Sequence, residues 1–307
     1  MLDYDLHCHS SISDGTLAPA EVVNRAAERG VKVLALTDHD DLDGLDEARA
    51  AAAQRGMIFI NGVEISVSWR IHTLHVVGLG IDPAYPPLAE GLRGVRSGRG
   101  NRAEKMAEAL AKVGIGGVLQ GAYRYAGNPN MIGRAHFARY LVEAGHFRDV
   151  RSVFNRYLAK GKPGYVPHQW AALADAVGWI RGSGGVAVLA HPGRYMCGNK
   201  SMGKQTMREM LAEFFACGGQ AIEVVSGSHT AEQYAEFARY AAEFDLLCSC
   251  GSDFHGPGES HRDLGRLPDF PQGCRPVWEA KPLKPIFENI PSSPAHNAVA
   301  GHAEERG

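Results

Sequence analysis

No run in this sequence approaches the ~18 consecutive apolar residues of a membrane span, which argues against a transmembrane segment. Net charge is nearly absent as well. The 32 basic and 34 acidic side chains leave a formal charge of −2, too little to hold duplex nucleic acid through a general basic field, although a local basic pocket is compatible with that balance. Cysteine is sparse, six in 307 residues, at positions 8, 197, 217, 248, 250 and 274. Scattered along so long a chain, these read as reduced thiols and not as a disulfide frame. Cys248-Ser249-Cys250 has no second pair at zinc-ribbon spacing and reads as small residues on a buried strand. No basic and apolar leader pattern precedes the first strand. These absences predict a soluble, cytoplasmic protein whose partners include neither a membrane nor duplex DNA.

What the sequence does have, 45% hydrophobic and 21% charged residues, suffices for one large α/β domain or a core with an insertion. Pro19 to Gly30 carries apolar positions at Val22, Val23, Ala26 and Ala27 and predicts a helix stopped by Gly30. Val31 to Leu36 is then a buried strand ending in Thr37-Asp38-His39-Asp40. A second helix runs from about Leu45 to Arg55. Met57 to Ser66 is a strand, and His72 to Gly80 returns like a hairpin. After Asp82-Pro83-Ala84-Tyr85-Pro86-Pro87 the pattern changes: residues 86–165 read as helical, rich in arginine and poor in strands, an inserted subdomain whose charges predict solvated helix faces. Strands resume at Val186-Ala187-Val188-Leu189-Ala190-His191, Ala221-Ile222-Glu223-Val224-Val225 and Leu246-Leu247-Cys248-Ser249-Cys250. Residues 286–307 read as a disordered tail, so His296 and His302 are discounted as ligands.

The stretch Asp5-Leu6-His7-Cys8-His9-Ser10-Ser11-Ile12-Ser13-Asp14-Gly15 organises the rest. Strand side chains alternate, so His7 and His9 emerge on one face while Leu6 and Cys8 face away. Similar polar groups follow later strands, giving His7, His9, Asp14, His39, Glu64, His75, His191, Asp253 and His255. One histidine alone is usually a hydrogen-bonded core residue, but nine such groups at strand ends point to a metal centre. Mixed imidazole and carboxylate ligands suit manganese, zinc or iron, and carboxylates that bridge would let nine ligands serve two or three divalent ions. Neighbouring ions activate a bridging water and neutralise an oxyanion, the machinery for hydrolysing a phosphate ester or an amide.

The order His-x-His, Thr-Asp-His-Asp, Gly-x-Glu-Ile-Ser, Ala-His-Pro-Gly and Gly-Ser-Asp-x-His resembles the PHP (polymerase and histidinol phosphatase) family over residues 3–82 and 163–267. The resemblance implies a distorted (β/α)7 barrel related to the amidohydrolases. Residues 1–85 and 166–285 would form the two parts of this barrel, with a helical insertion between them. It also implies a two- or three-metal centre at the barrel's C-terminal face, manganese favoured, with all nine residues at metal-binding positions and His75 in place of His72. Asp41 departs from the usual Thr, which bears on hydrogen bonding behind the ligands.

Within the family, Ile132-Gly133-Arg134-Ala135-His136 and Gly161-Lys162-Pro163-Gly164-Tyr165-Val166-Pro167 resemble the 3′,5′-nucleoside bisphosphate phosphatases and the short-RNA 5′→3′ exonucleases of RNase AM type. The expected reaction is attack of a metal-bridging hydroxide on a nucleotide phosphate, with the 5′-phosphate favoured as the one hydrolysed. Arg134 and Arg194 can hold phosphate bidentately, and His136 can bond a phosphate oxygen or order the insertion. Asp40 and His255 are both conceivable proton donors to the leaving alkoxide, and the sequence does not choose between them. Tyr123, Tyr125 and Tyr195 could stack on a base, although core packing is the readier reading of each. The substrate is a small nucleotide or a short RNA. Alternative reactions are histidinol-phosphate hydrolysis and C–N hydrolysis of amidohydrolase type, the latter disfavoured by Arg134 and Arg194.

Overall fold

The computed structural model of the protein describes residues 3–196 and 202–288. Cys197, His296 and His302 lie outside them. Of the expected tail, Ile286 to Glu288 finish a short helix, and the rest is likewise outside. The other five cysteines are free thiols.

Seven strands form the main sheet in the order β1 (Tyr4–Asp5), β2 (Val33–Leu36), β3 (Ile58–Trp69), β4 (His72–Leu79), β6 (Val186–Leu189), β7 (Ala221–Ser226), β8 (Leu247–Gly251); a two-residue strand β5 (Ala171–Ala172) pairs with β3. β2, β6 and β7 are short apolar runs buried at every position, as strands covered on both faces must be. Neighbours run parallel except around β4, which is antiparallel to both β3 and β6. The sheet closes on itself: Leu6 N–H donates to Cys250 O (3.1 Å), Asp253 N–H to His7 O (2.8 Å) and His9 N–H to Phe254 O (2.8 Å). This is a distorted seven-stranded α/β barrel. Helices α1 (Pro19–Glu28), α2 (Leu45–Gln54), α8 (Leu173–Gly182), α9 (Lys204–Ala216) and α10 (Ala231–Glu243) accompany the strands. α1 shows how locally these elements are specified: proline sits at its first position, Glu21 reaches back to Ala18 N–H (2.8 Å), and Val22, Val23 and Ala26 are buried.

Between β4 and β5 lie α3 (Pro86–Ser97), α4 (Arg99–Ala111), α5 (Val118–Tyr123), α6 (Arg134–Glu143), α7 (Val150–Val153) and one turn of π-helix (Phe154–Leu158). α3 buries Leu88, Leu92 and Val95 in the barrel's own core. From α4 onward the apolar residues, among them Met106, Leu110, Phe137, Leu141, Val153 and Leu158, form a second cluster. Polar contacts join this cluster to the barrel mouth. Arg96 donates to Asp40 O (2.5 Å), Arg99 pairs with the Asp40 carboxylate, and Asn128 donates to Asp41 (3.0 Å). Arg139 grips Glu259 with two nitrogens (2.9 and 2.8 Å) and donates to Asp14 O (2.5 Å). The solvated arginine faces expected from the sequence are therefore corrected at Arg99, Arg102 and Arg139, which are only 7, 8 and 7% exposed. Their partners lie on loops far away in sequence, which the helix pattern cannot reveal.

The closure between β1 and β8 leaves no room for a side chain at Gly251, where a Cβ would overlap the Cβ of His7 and lie 2.9 Å from its N. Gly178, inside α8, has nothing within 4 Å of its missing Cβ. Gly251→Ala should destabilise the fold by about 1–3 kcal/mol through overpacking, whereas Gly178→Ala should stabilise it by about 0.5–1 kcal/mol through helix propensity. Thermal unfolding of the two variants checks the opposite signs.

Candidate metal centre

The nine residues singled out in the sequence come together at one end of the barrel. His7, His9 and Asp14 follow β1, and His39 follows β2. Glu64 is within β3 and His75 within β4, where the antiparallel register sets His75 opposite Ser66, two residues past Glu64. His191 follows β6, and Asp253 and His255 follow β8. They form four overlapping groups: His9, Asp14, His39 and His255; His7, His191 and Asp253; His7, His9 and Glu64; and His39, Glu64 and His75. Within each, the ligand-type atoms lie within 4.8 Å of one another. Glu64 is the hub, its Oε1 2.9 Å from both His75 Nδ1 and His191 Nε2, and its Oε2 2.9 Å from His39 Nδ1.

The donors suit cations better than they suit one another. His7 Nε2 and His9 Nε2 face each other at 3.1 Å. Glu64 Oε2, Asp14 Oδ1, both Asp253 oxygens and His39 Nδ1 are buried without an aligned hydrogen bond, although several have oppositely charged atoms nearby. Short distances with poor angles are expected of lone pairs that converge on common points. Burial opposes ionisation of Glu64, yet the imidazoles of His75, His39 and His7 hold its carboxyl well below the usual range. Burial likewise opposes ionisation of Asp14 and Asp253, but His255 and His39 lower the first, and Arg194 and His9 the second. All three are carboxylates at neutral pH.

Side chains that the sequence reading did not single out fix this arrangement. Glu223, buried in β7, lies 2.5 Å from His7 Nδ1 and accepts the His191 backbone N–H at 2.7 Å, the carboxylate–imidazole support that turns a histidine's other nitrogen toward a metal. The signal was a lone carboxylate in the apolar run Ala221-Ile222-Glu223-Val224-Val225; its partners, on other strands, were not visible. Asp38 accepts from Ser10 N–H (2.8 Å), Ser10 Oγ (2.6 Å) and Ser13 Oγ (2.6 Å), shaping the loop that presents Asp14. Backbone strain is concentrated here too. Asp40, His191 and Asp253 have φ of 48°, 29° and 55°, in the left-handed region.

Several expectations are corrected. Asp40 is fully buried, its oxygens accepting from Ser66 N–H (2.7 Å) and Ser66 Oγ (2.9 Å) and pairing with Arg99, so it braces the mouth and is not placed to protonate a leaving group. His255 Nδ1 faces the Asp253 carbonyl at 2.9 Å and donates to it, which aims Nε2 at the cluster, 3.2 Å from Asp14 Oδ1, where a ligand atom belongs. His136 is buried with Nδ1 accepting Gly133 N–H at 3.0 Å, and it caps its own helix without reaching the cavity. Of the tyrosines, Tyr123 takes the core-packing alternative, against the insertion's apolar cluster, and Tyr195 Oη accepts His75 N–H (2.8 Å). Arg134 and Arg194 do line the cavity, Arg194 in contact with Asp253. Cys8 points its Sγ toward Ala35 O (3.3 Å), away from the cluster.

Arg134 and Phe154 stand between two recesses that both reach His39, His75 and Asp14. The first continues past Arg99, Arg102, Thr73 and Trp170. The second continues past Arg151, Asn155, Arg194 and His261.

Comparison with known proteins agrees with this geometry. The PHP domain family profile matches residues 5–227. The chain is 55% identical to the 3′,5′-nucleoside bisphosphate phosphatase of Chromobacterium violaceum, covering 93% of this chain and 99% of that one, and 41% identical to a 5′-3′ exoribonuclease of Haemophilus influenzae over 90 and 98%. The solved structure of an amidohydrolase from Chromobacterium violaceum, with bound sulfate and no metal, superposes with a TM-score of 0.88 at 54% identity, covering 93% of this chain and 97% of that one. The protein thus belongs to the PHP domain family of metal-dependent phosphoesterases.

Proposed function

We propose that the protein is a metal-dependent 3′,5′-nucleoside bisphosphate phosphatase, with the nine clustered side chains as its metal ligands. The observation that carries this reading is the presence, in the wall of the same cavity, of two guanidiniums that have no carboxylate partner among the described residues. Arg102 is buried and donates to Val166 O (3.0 Å); Arg134 meets Leu158 O at 3.4 Å and faces the rings of Phe154 and Tyr165. Burial, with Arg134 and Arg99 alongside, lowers the Arg102 guanidinium to about 9, so it stays protonated at neutral pH. Like charges held together in a polar cleft favour a bound anion, and a phosphate dianion meets that demand.

Two or three ions of manganese, zinc or iron type suit the ligand set, and when bound they lower the pKa of water and neutralise phosphate charge. The residues of this chain then fix the substrate. A phosphate on the nucleotide's 3′ oxygen lies against the cluster, and its 5′-phosphate lies against Arg102 and Arg134. One placement of this kind accounts for both activities in the relatives' names: a bisphosphate gives the nucleoside 5′-monophosphate, and a 5′-phosphorylated strand loses its first nucleotide at the same 3′-oxygen–phosphorus bond. It reverses the sequence-based assignment of the 5′-phosphate as the reacting group. Trp170, with Arg99 and Arg102 4.8 and 5.2 Å from its ring, offers an apolar wall to the nucleoside. We place the enzyme in the cytoplasm, where its free thiols stay reduced.

Three outcomes are expected. Adenosine 3′,5′-bisphosphate should yield adenosine 5′-monophosphate; release of the 3′-monophosphate, seen by chromatography, would invert the proposed orientation, and no turnover would end the reading. Glu64→Ala and Asp253→Ala should lose bound metal, measured by elemental analysis, together with turnover, while Glu223→Ala should weaken metal affinity about ten- to a hundredfold by freeing His7 and His191. Arg102→Ala and Arg134→Ala should each lower kcat/KM for the bisphosphate about ten- to a hundredfold at unchanged metal content, the size of one charge-assisted contact.

A further inference from the structure

The second recess is not needed for a mononucleotide, and its wall suits something else. Arg151 from α7, Asn155 from the π-helix and His261 from the loop after β8 project into it, beside Ser228 and Ser260. Arg151, Asn155 and His261 are exposed, and their side chains make no hydrogen bond or ion pair among the described residues. Partial burial and the positive charges of Arg194 and Arg151 hold the His261 imidazole below its usual range, so these three basic groups lie near one another in the lining. The π-turn that aims Phe154 and Asn155 is itself uncommon and tends to mark functional sites.

Building on the proposed function, we infer that this recess binds the second nucleotide of a short 5′-phosphorylated single-stranded oligonucleotide, through its phosphate at Arg151 and His261 and its sugar or base at Asn155. If the terminal 5′-phosphate occupies Arg102 and Arg134, and the phosphate that links nucleotides one and two lies against the ligand cluster, the rest of the strand must leave from the far side of that phosphate. The second recess begins there and opens outward past exposed residues. Water adds its oxygen to the linking phosphorus, the bond from phosphorus to the first nucleotide's 3′ oxygen breaks, and that oxygen takes a proton. The products are a nucleoside 5′-monophosphate with a free 3′-hydroxyl and a shortened strand. That strand keeps the phosphate on its new 5′ end and so presents the same end again. Phosphate contacts and a polar edge imply little base preference.

The test compares kcat/KM for adenosine 3′,5′-bisphosphate and for a 5′-phosphorylated adenosine trinucleotide in the wild type, Arg151→Ala, Arg151→Ala/His261→Ala and Lys160→Ala, with thermal unfolding as the control for folding. Lys160, held by Ile71 O, lines a third recess past Trp170 that shares Arg102, Arg134 and Arg194 but not Arg151 or His261, and so stands for the rival way out. The expected result is a loss of about tenfold on the trinucleotide in Arg151→Ala, deeper in the double variant, with the bisphosphate unchanged and Lys160→Ala neutral on both substrates. Equal losses on both substrates, no loss on the trinucleotide, or a trinucleotide-specific loss at Lys160 would each overturn the inference. A wild type that hydrolyses the bisphosphate but not the trinucleotide overturns it while sparing the proposed function; one that hydrolyses neither removes both.

Discussion

Six imidazoles and three carboxylates share the mouth of one barrel, and several of their ligand atoms have no aligned protein partner. Burying polar atoms unsatisfied costs about 1–3 kcal/mol each, and a fold that gathers so many must recover that elsewhere. Cations recover it, because one ion satisfies several lone pairs at once. The strained backbones at His191 and Asp253 belong to the same account: both residues are held where ordinary side chains seldom go, so that their ligand atoms converge.

The scaffold meets this constraint by cross-linking. Glu223 ties the His7 ring to the His191 backbone, and Asp38 ties the serines of the first loop. The helical insertion adds a second set of ties in which arginines carry the load: Arg96 and Arg99 on the loop after β2, Arg139 on the loop after β1. The same insertion supplies Arg102 and Arg134 to the cavity wall. At this joint Arg99 and Arg139 are neutralised by barrel carboxylates, while Arg102 and Arg134 are left to meet an anion.

Much of this was legible in the sequence, and the reason is local. His7 and His9 could be paired because strand side chains repeat every second residue, and most of the other clustered side chains stood at the ends of apolar runs that read as strands, although Glu64 and His75 prove to lie inside longer ones. The α/β class and the strand–helix order follow from the same patterns. What could not be read were relations between distant segments. Asp40 looked like a free carboxylate beside a ligand, and only the packing of α4 shows that Arg99 and Ser66 occupy it. His136 looked available to a phosphate until its helix cap took Nδ1. Buried arginines resembled solvated ones because a helix pattern records which face is apolar, not which charge waits across the gap.

The Asp41 departure acquires a meaning from this. Its carboxylate accepts from Asn128 of the insertion and from Asp43 N–H (3.0 Å each), while its neighbour Asp40 binds Arg96 and Arg99. The loop after β2 and the insertion are therefore matched halves of a joint, and evolutionary change in one constrains the other. Exchanging insertions among relatives as interchangeable cassettes would fail unless the receiving loop were changed to suit, and substrate range in such a lineage should drift by paired substitutions across that joint.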